Sequence, residues 1–217
     1  MSARRWDISQ TLRPDLPVWP GDTAFSHRAR WTMTDGSPVN VAAFETTVHA
    51  GAHADAPLHY QAGGASAADV GLDAYLGPCQ VVDATRCGAF IDRDFVGRVL
   101  PAPEARVLFR TFSQFPTDTW PETFTAVDAA AITYLASRGV VLIGVDAPSL
   151  DPQTSKTMDA HKAILAADMR VLEGLVLDDV PPGRYELIAL PLKLAGLDAS
   201  PVRAVLRALS DASAGGR

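Results

Sequence analysis

Residues 49–60 read HAGAHADAPLHY and gather three of the chain's five histidines beside an aspartate. His49, His53 and Asp55 are ligand types that suit zinc, manganese or iron, and His59 stands close by. An ion held by neutral imidazoles and a carboxylate lowers the pKa of a bound water to about 7, which makes hydroxide available at neutral pH. That is what a hydrolase requires. A lone histidine is more often a hydrogen-bonded core residue or a surface one, but four ligand types at this spacing favour a metal. The oxygen ligand and the lack of cysteine lean towards an open, catalytic site rather than a closed structural one.

The spacing also constrains the backbone. His49 and His53 stand four apart, as on one helix face, yet Gly51 and Pro57 oppose a helix and no glutamate follows His49. The expected arrangement is a turn. A strand through NVAAFETTV ends near His49, the chain reverses at Gly51 and Ala52, and His53, Asp55 and His59 return around a common point, with Pro57 stiffening the turn. The small residues Ala50, Gly51, Ala52, Ala54 and Ala56 let the backbone approach an ion.

Other apolar runs, CQVVDAT, RVLFRTF, VVLIGVDAP and YELIALPLKL, read as strands, and TAVDAAAITYLASRG reads as a helix opening at Thr125 or Asp128 and closing at Gly139. The pattern is α/β. A helix between RVLFRTF and VVLIGVDAP permits a crossover between parallel strands, whereas the N-terminal third suggests hairpins, so a mixed, partly parallel sheet flanked by helices is expected. Sites in such sheets lie at strand ends, where the histidine cluster and Asp146 both fall.

With 217 residues, 47% of them hydrophobic, the chain can bury a large core as one domain, residues 1–217, with the small-residue tail from about 210 frayed. A net charge of −6 and scattered basic residues disfavour nucleic acid and anionic membranes as partners and leave a small molecule or a protein. Cys79 and Cys87 form no disulfide framework or zinc ribbon, and no apolar run is long enough for a membrane span. A cytoplasmic setting is expected. No G-x-S-x-G elbow, cysteine nucleophile signature or glycine-rich phosphate loop occurs.

HAGAHADAPLHY resembles the H-x-G-[TA]-H-x-D-x-P-x-H signature of the metal-dependent cyclase-like hydrolases. Three further blocks, WDISQTLRPDLPVWPGDTAF, GVDAPSLDP and LEGLVLDDVPPGRYELIALPLKLAGLDASPVRAVL, resemble the bacterial kynurenine formamidase (arylformamidase) branch, and the similarity spans nearly the whole chain. Ala52 stands where many members have threonine, a position that is not a ligand. The resemblance implies the swivelling β/α fold of that family, a homodimer, and two divalent metal ions, usually zinc. It places His49, His53 and Asp55 on the first ion, Asp55 and His161 on the second, and Glu173 as a bridge. His59 matches the catalytic acid/base, with a fourth metal ligand as its alternative. The implied reaction is hydrolysis of N-formyl-L-kynurenine to L-kynurenine and formate in tryptophan degradation. Hydrolysis of another amide, a lactone or a cyclic imide is the rival, and a metal-binding protein without turnover is the rival from another class.

Three other residues carry two readings or a plain one. Trp19 matches a tryptophan that the family sets against an aromatic substrate, and could equally be a loop aromatic covering core. Asp146 could orient a ligand imidazole from behind or cap the turn DAPS. His27 reads as exposed.

Overall fold

The computed structural model describes residues 4–209, so the expected frayed tail lies outside the described residues. In chain order the strands are β1 (Arg5–Asp7), β2 (Ser26–Trp31), β3 (Val41–Glu45), β4 (His53–Asp55), β5 (Leu76–Asp83), β6 (Phe90–Ile91), β7 (Arg106–Arg110), β8 (Ala126–Val127), β9 (Leu142–Val145), β10 (Arg170–Glu173), β11 (Gly183–Ile188), β12 (Ala199–Pro201) and β13 (Val205–Ala208). The helices are α1 (Arg93–Val99), α2 (Ala129–Ser137) and α3 (Asp159–Ala166).

One nine-stranded sheet unites the chain in the order β1-β13-β11-β5-β7-β9-β10-β4-β12. Its centre, β5-β7-β9-β10, is parallel, and the strands on both flanks pair antiparallel. The mixed α/β sheet expected from sequence is therefore present, and α2 does cross between the parallel strands β7 and β9. Burial on both faces explains why RVLFR and LIGV are almost unbroken apolar runs.

Alternation along these strands divides the core in two. Val107, Phe109, Ile143, Val145 and Val171 face the helices, meeting Ile132, Leu135 and Ile164. Leu108, Leu142 and Leu172 face the other way and meet Ala54 of β4, Leu206 of β13 and Ile8, just after β1, because the sheet curls on itself. Gly144 makes room in this second layer: a Cβ there would lie 2.4 Å from Leu108 Cδ2, so that leucine would have to move. The helix limits follow from its sequence. Asp128 caps α2 by accepting from Ala130 N, and Gly139 leaves it at a φ of +85°, which suits glycine.

The N-terminal third holds the expected hairpin, but the strand expected to end near His49 is shorter. β3 stops at Glu45, short of His49, and pairs with β2 in a separate exposed hairpin, while β1 joins the main sheet beside β13. Among the described residues no helix is long and apolar enough to cross a membrane.

Candidate active site

The residues of HAGAHADAPLHY occupy three elements rather than the single turn expected from sequence. His49 sits on the turn after β3, His53 and Asp55 form the ends of β4, and His59 closes a one-turn 3-10 helix, Pro57–His59, that starts at Pro57. The correction has a physical reason: β4 is only three residues long, too short for alternation to reveal it, and is held by antiparallel pairing with β10 and β12.

That pairing builds the site. His53 and Asp55 share one face of β4, and the register sets His53 opposite Glu173, the last residue of β10. The helix α3 packs over the same face and brings in His161. The four side chains are buried and converge. His53 Nε2 lies 3.5 Å from Asp55 Oδ1 and 3.4 Å from Glu173 Oε2, and His161 Nε2 lies 3.4 Å from Asp55 Oδ2 and 3.3 Å from Glu173 Oε1. His49 Nδ1 is 3.2 Å from Asp55 Oδ1.

Each of these imidazoles has its other nitrogen fixed. His53 Nδ1 is 2.9 Å from the Gly51 carbonyl, His161 Nδ1 is 2.6 Å from Asp151 Oδ2, and His49 Nε2 is 3.0 Å from Asp198 Oδ2. Such outward acceptors orient the ring and leave the inward nitrogen with a free lone pair. His53 Nε2, His161 Nε2 and both Asp55 oxygens are buried without a hydrogen-bond partner. Four orphaned polar atoms facing one point, two of them carboxylate oxygens, fit divalent cations and little else, since unpartnered buried polar groups are otherwise costly. His53, Asp55 and Glu173 offer ligand atoms within 4.8 Å of one another, as do His49, Asp55 and His59. His59 thus lies within reach of either of its two expected roles.

Electrostatics follow from the crowding. Burial pulls His49 down, but the carboxylates of Asp55 and Asp198 beside its two nitrogens outweigh this and carry it up to about 9. Burial opposes ionisation of Asp55, yet His161 and His49 hold its carboxyl well below the usual range. Glu173 is lowered too, against burial and the nearby Asp55, by His161 and His53. Without cations the site therefore keeps its carboxylates charged by protonating imidazoles.

Small residues around the site pack closely. Ala50, Ala52, Ala54 and Ala56 are all buried, and a Cβ on Gly174 would lie 2.4 Å from the Gly51 carbonyl oxygen. Backbone meets backbone here.

Of the remaining expectations, Trp19 lines a cavity of about 320 Å³ together with His49, His53, His59 and Glu173. Its ring meets Trp120 edge-on at 5.5 Å, and Trp120 Nε1 donates to Gln153 Oε1 at 2.8 Å. Asp146 fills neither expected role. It accepts from Thr111 N, Thr111 Oγ1 and Phe112 N, tying the end of β7 to the end of β9. His27 is exposed on β2. Asp151, Asp198 and Trp120 were not singled out from the sequence. Asp151 also accepts from Ala160 N and His161 N, so it caps α3 and orients that helix's histidine at once. Asp151 and His161 stand ten positions apart in no recognised motif, and the separation of Asp198 from His59 is far too great for spacing to signal.

Comparison with known proteins agrees with this geometry. A family profile described as putative cyclase matches residues 6–152. The chain is 55% identical to a kynurenine formamidase of Erythrobacter litoralis over 96% of both chains, and 53% identical to one of Sphingopyxis alaskensis over 96% of this chain and all of that one. Among solved structures, a potential metal-dependent hydrolase with cyclase activity superposes with a TM-score of 0.84 at 31% identity, covering 96% of this chain and 100% of that one. The fold is shared also with isatin hydrolase A from Labrenzia aggregata, bound to benzyl benzoate, at a TM-score of 0.82 and 24% identity over 96% of this chain and 94% of that one. By profile, by sequence and by fold, this chain belongs to the cyclase family.

Proposed function

We propose that the protein is a metal-dependent arylformamidase that hydrolyses N-formyl-L-kynurenine to L-kynurenine and formate in tryptophan degradation. One observation carries the reading: four unpartnered, buried ligand atoms of His53, Asp55 and His161 converge, and His53 also lines a cavity shared with Trp19, Trp120 and His59. The formamidase names of relatives above 50% identity support the substrate.

In this reading two divalent ions, zinc by ligand type, are held per subunit. His49, His53 and Asp55 would hold the first and His161 and Asp55 the second, with Glu173 shared between them, a reading supported by the approach of Glu173 Oε2 to His53 and of Oε1 to His161. When bound, they supply Lewis acidity, acidifying a water to a pKa of about 7 and polarising the formyl carbonyl. The chain does the rest. Trp19 stacks on the aryl ring and Trp120 backs Trp19. His59 accepts the proton released on attack and delivers it to the aryl nitrogen as the C–N bond breaks. An anilide anion leaves poorly, so this proton is worth on the order of 10²–10⁴ in rate.

A homodimer belongs to the same reading. In strands β2 and β3 every residue except the partly buried Ala43 is exposed, with Trp31 61% and Phe44 64% accessible. An isolated two-stranded hairpin is marginal in water, and one with such side chains needs a covering surface. A cytoplasmic location fits the free thiols Cys79 and Cys87.

The test is turnover by metal-analysed protein on N-formylkynurenine, beside simpler aryl formamides, lactones and cyclic imides. Fastest hydrolysis of the aryl formamides is expected. Preference for a lactone or imide would move the protein to another activity of the family, and a metal-replete preparation inert on all of them would make it a binding protein.

A further inference from the structure

Asp198 immediately precedes β12, and its backbone carbonyl accepts from Ala56 N at 2.8 Å, which fixes it beside the strand carrying Asp55. From there a single carboxylate oxygen, Oδ2, meets two imidazoles: His49 Nε2 at 3.0 Å and His59 Nδ1 at 3.1 Å. The two rings lie 4.4 Å apart between centroids. A carboxylate only accepts, so both facing nitrogens carry hydrogen. This leaves His49 Nδ1, 3.2 Å from Asp55 Oδ1, as the nitrogen it would give to an ion, and His59 Nε2 as the nitrogen turned away from Asp198. The opposite tautomer of His59 would set a nitrogen lone pair against an anion.

We propose that Asp198 is a positioning residue of the hydrolytic reaction, holding His59 in the Nδ1–H tautomer so that its Nε2 exchanges the proton with the departing amine, and locking that ring to the metal-facing His49. The kinetic side of this rests on the arylformamidase reading; the tautomer side does not. Asp198 touches no substrate and acts through His59. Its side chain is 38% exposed and its backbone bond is independent of the carboxylate, so removal of the carboxylate leaves the fold in place.

Two measurements test it on zinc-saturated protein. In nitrogen NMR of histidine-labelled protein, His59 is expected as a single Nδ1–H tautomer, and Asp198→Ala should convert it to a mixture. In turnover of aryl formamides, Asp198→Ala should lower kcat on the order of 10- to 100-fold, the usual effect of losing an orienting partner. The loss should deepen as the leaving amine becomes more basic, and Asp198→Asn, which keeps an acceptor oxygen, should lose less. The double variant His59→Ala/Asp198→Ala should be no slower than His59→Ala, because residues acting as one unit are not additive. A His59 tautomer unchanged in Asp198→Ala, or losses that multiply in the double variant, would overturn the proposal. Wild-type protein inert on aryl formamides, with the tautomer shift still present, would instead remove the arylformamidase reading and leave Asp198 as the partner that orients His59.

Discussion

At the scale of single residues, the site consists of groups that are costly unless something joins them. Glu173 stands between His53 and His161 with one oxygen towards each, and its Oε1 also accepts from Leu150 N at 2.8 Å. Glu173→Ala should therefore remove metal and activity together, while the His49, His53 and Asp55 group still holds one ion weakly. Metal stoichiometry by elemental analysis checks this, and full two-ion occupancy in the variant would refute the bridge. Trp19 lines the cavity and its ring meets that of Trp120. Trp19→Ala should raise KM for aryl formamides with less effect on kcat, the pattern of lost uniform binding. An unchanged KM would return Trp19 to a covering role.

At the scale of elements, the site depends on how closely the end of β10 approaches the turn before β4. Gly174 has a φ of +65° and its backbone abuts the Gly51 carbonyl, the same oxygen that fixes His53 Nδ1. Gly174→Ala adds left-handed strain and pushes that carbonyl away, so it should cost about 1–3 kcal/mol of stability and weaken metal binding as well. Denaturant unfolding and metal titration of the same variant read the two effects; loss of stability with normal metal affinity would separate Gly51 from the site.

Asp146 makes a second claim at this scale. Burial raises its carboxyl from 3.8 to about 6, although bonds from Thr111 and Phe112 oppose the rise. A carboxyl whose folded pKa lies above its unfolded one holds its proton longer in the folded state, so its contribution is most favourable at low pH and is lost as pH rises through about 6. Relative to Asp146→Asn, which does not titrate, metal-free wild-type protein should lose about 2 kcal/mol of stability between about pH 4.5 and 7.5. Parallel stability profiles in urea would show that Asp146 ionises freely.

At the scale of the whole molecule, the β2–β3 hairpin stands apart from the nine-stranded sheet and carries exposed Trp31, Met33, Val41 and Phe44. Covering it with a second copy accounts for these side chains. Wild-type protein should sediment as a dimer, and the double variant Trp31→Ser/Phe44→Ser should shift towards monomer at micromolar concentration with its secondary structure intact. A monomeric wild type would require another partner for the hairpin.

The sequence by itself determined the ligand types and the α/β class. His49, His53, Asp55 and His59 stand within one stretch, so residue chemistry alone pointed to a metal, and the apolar runs at β7 and β9 were visible because strands buried on both faces leave nearly unbroken apolar segments. Family resemblance added His161 and Glu173, which no spacing connects to that stretch. Only the tertiary structure decided how these residues meet. The register of β4 on β10 sets His53 against Glu173, and α3 lays His161 over the same face. It also decided what stands behind them, Asp151 at His161 and Asp198 shared by His49 and His59. Asp146, read as a possible partner of a histidine, ties two strand ends instead. The physical reason is common to all of these: an orienting carboxylate is selected by distance in space, and a contact across 139 or 149 residues leaves no periodicity in the chain from which to infer it.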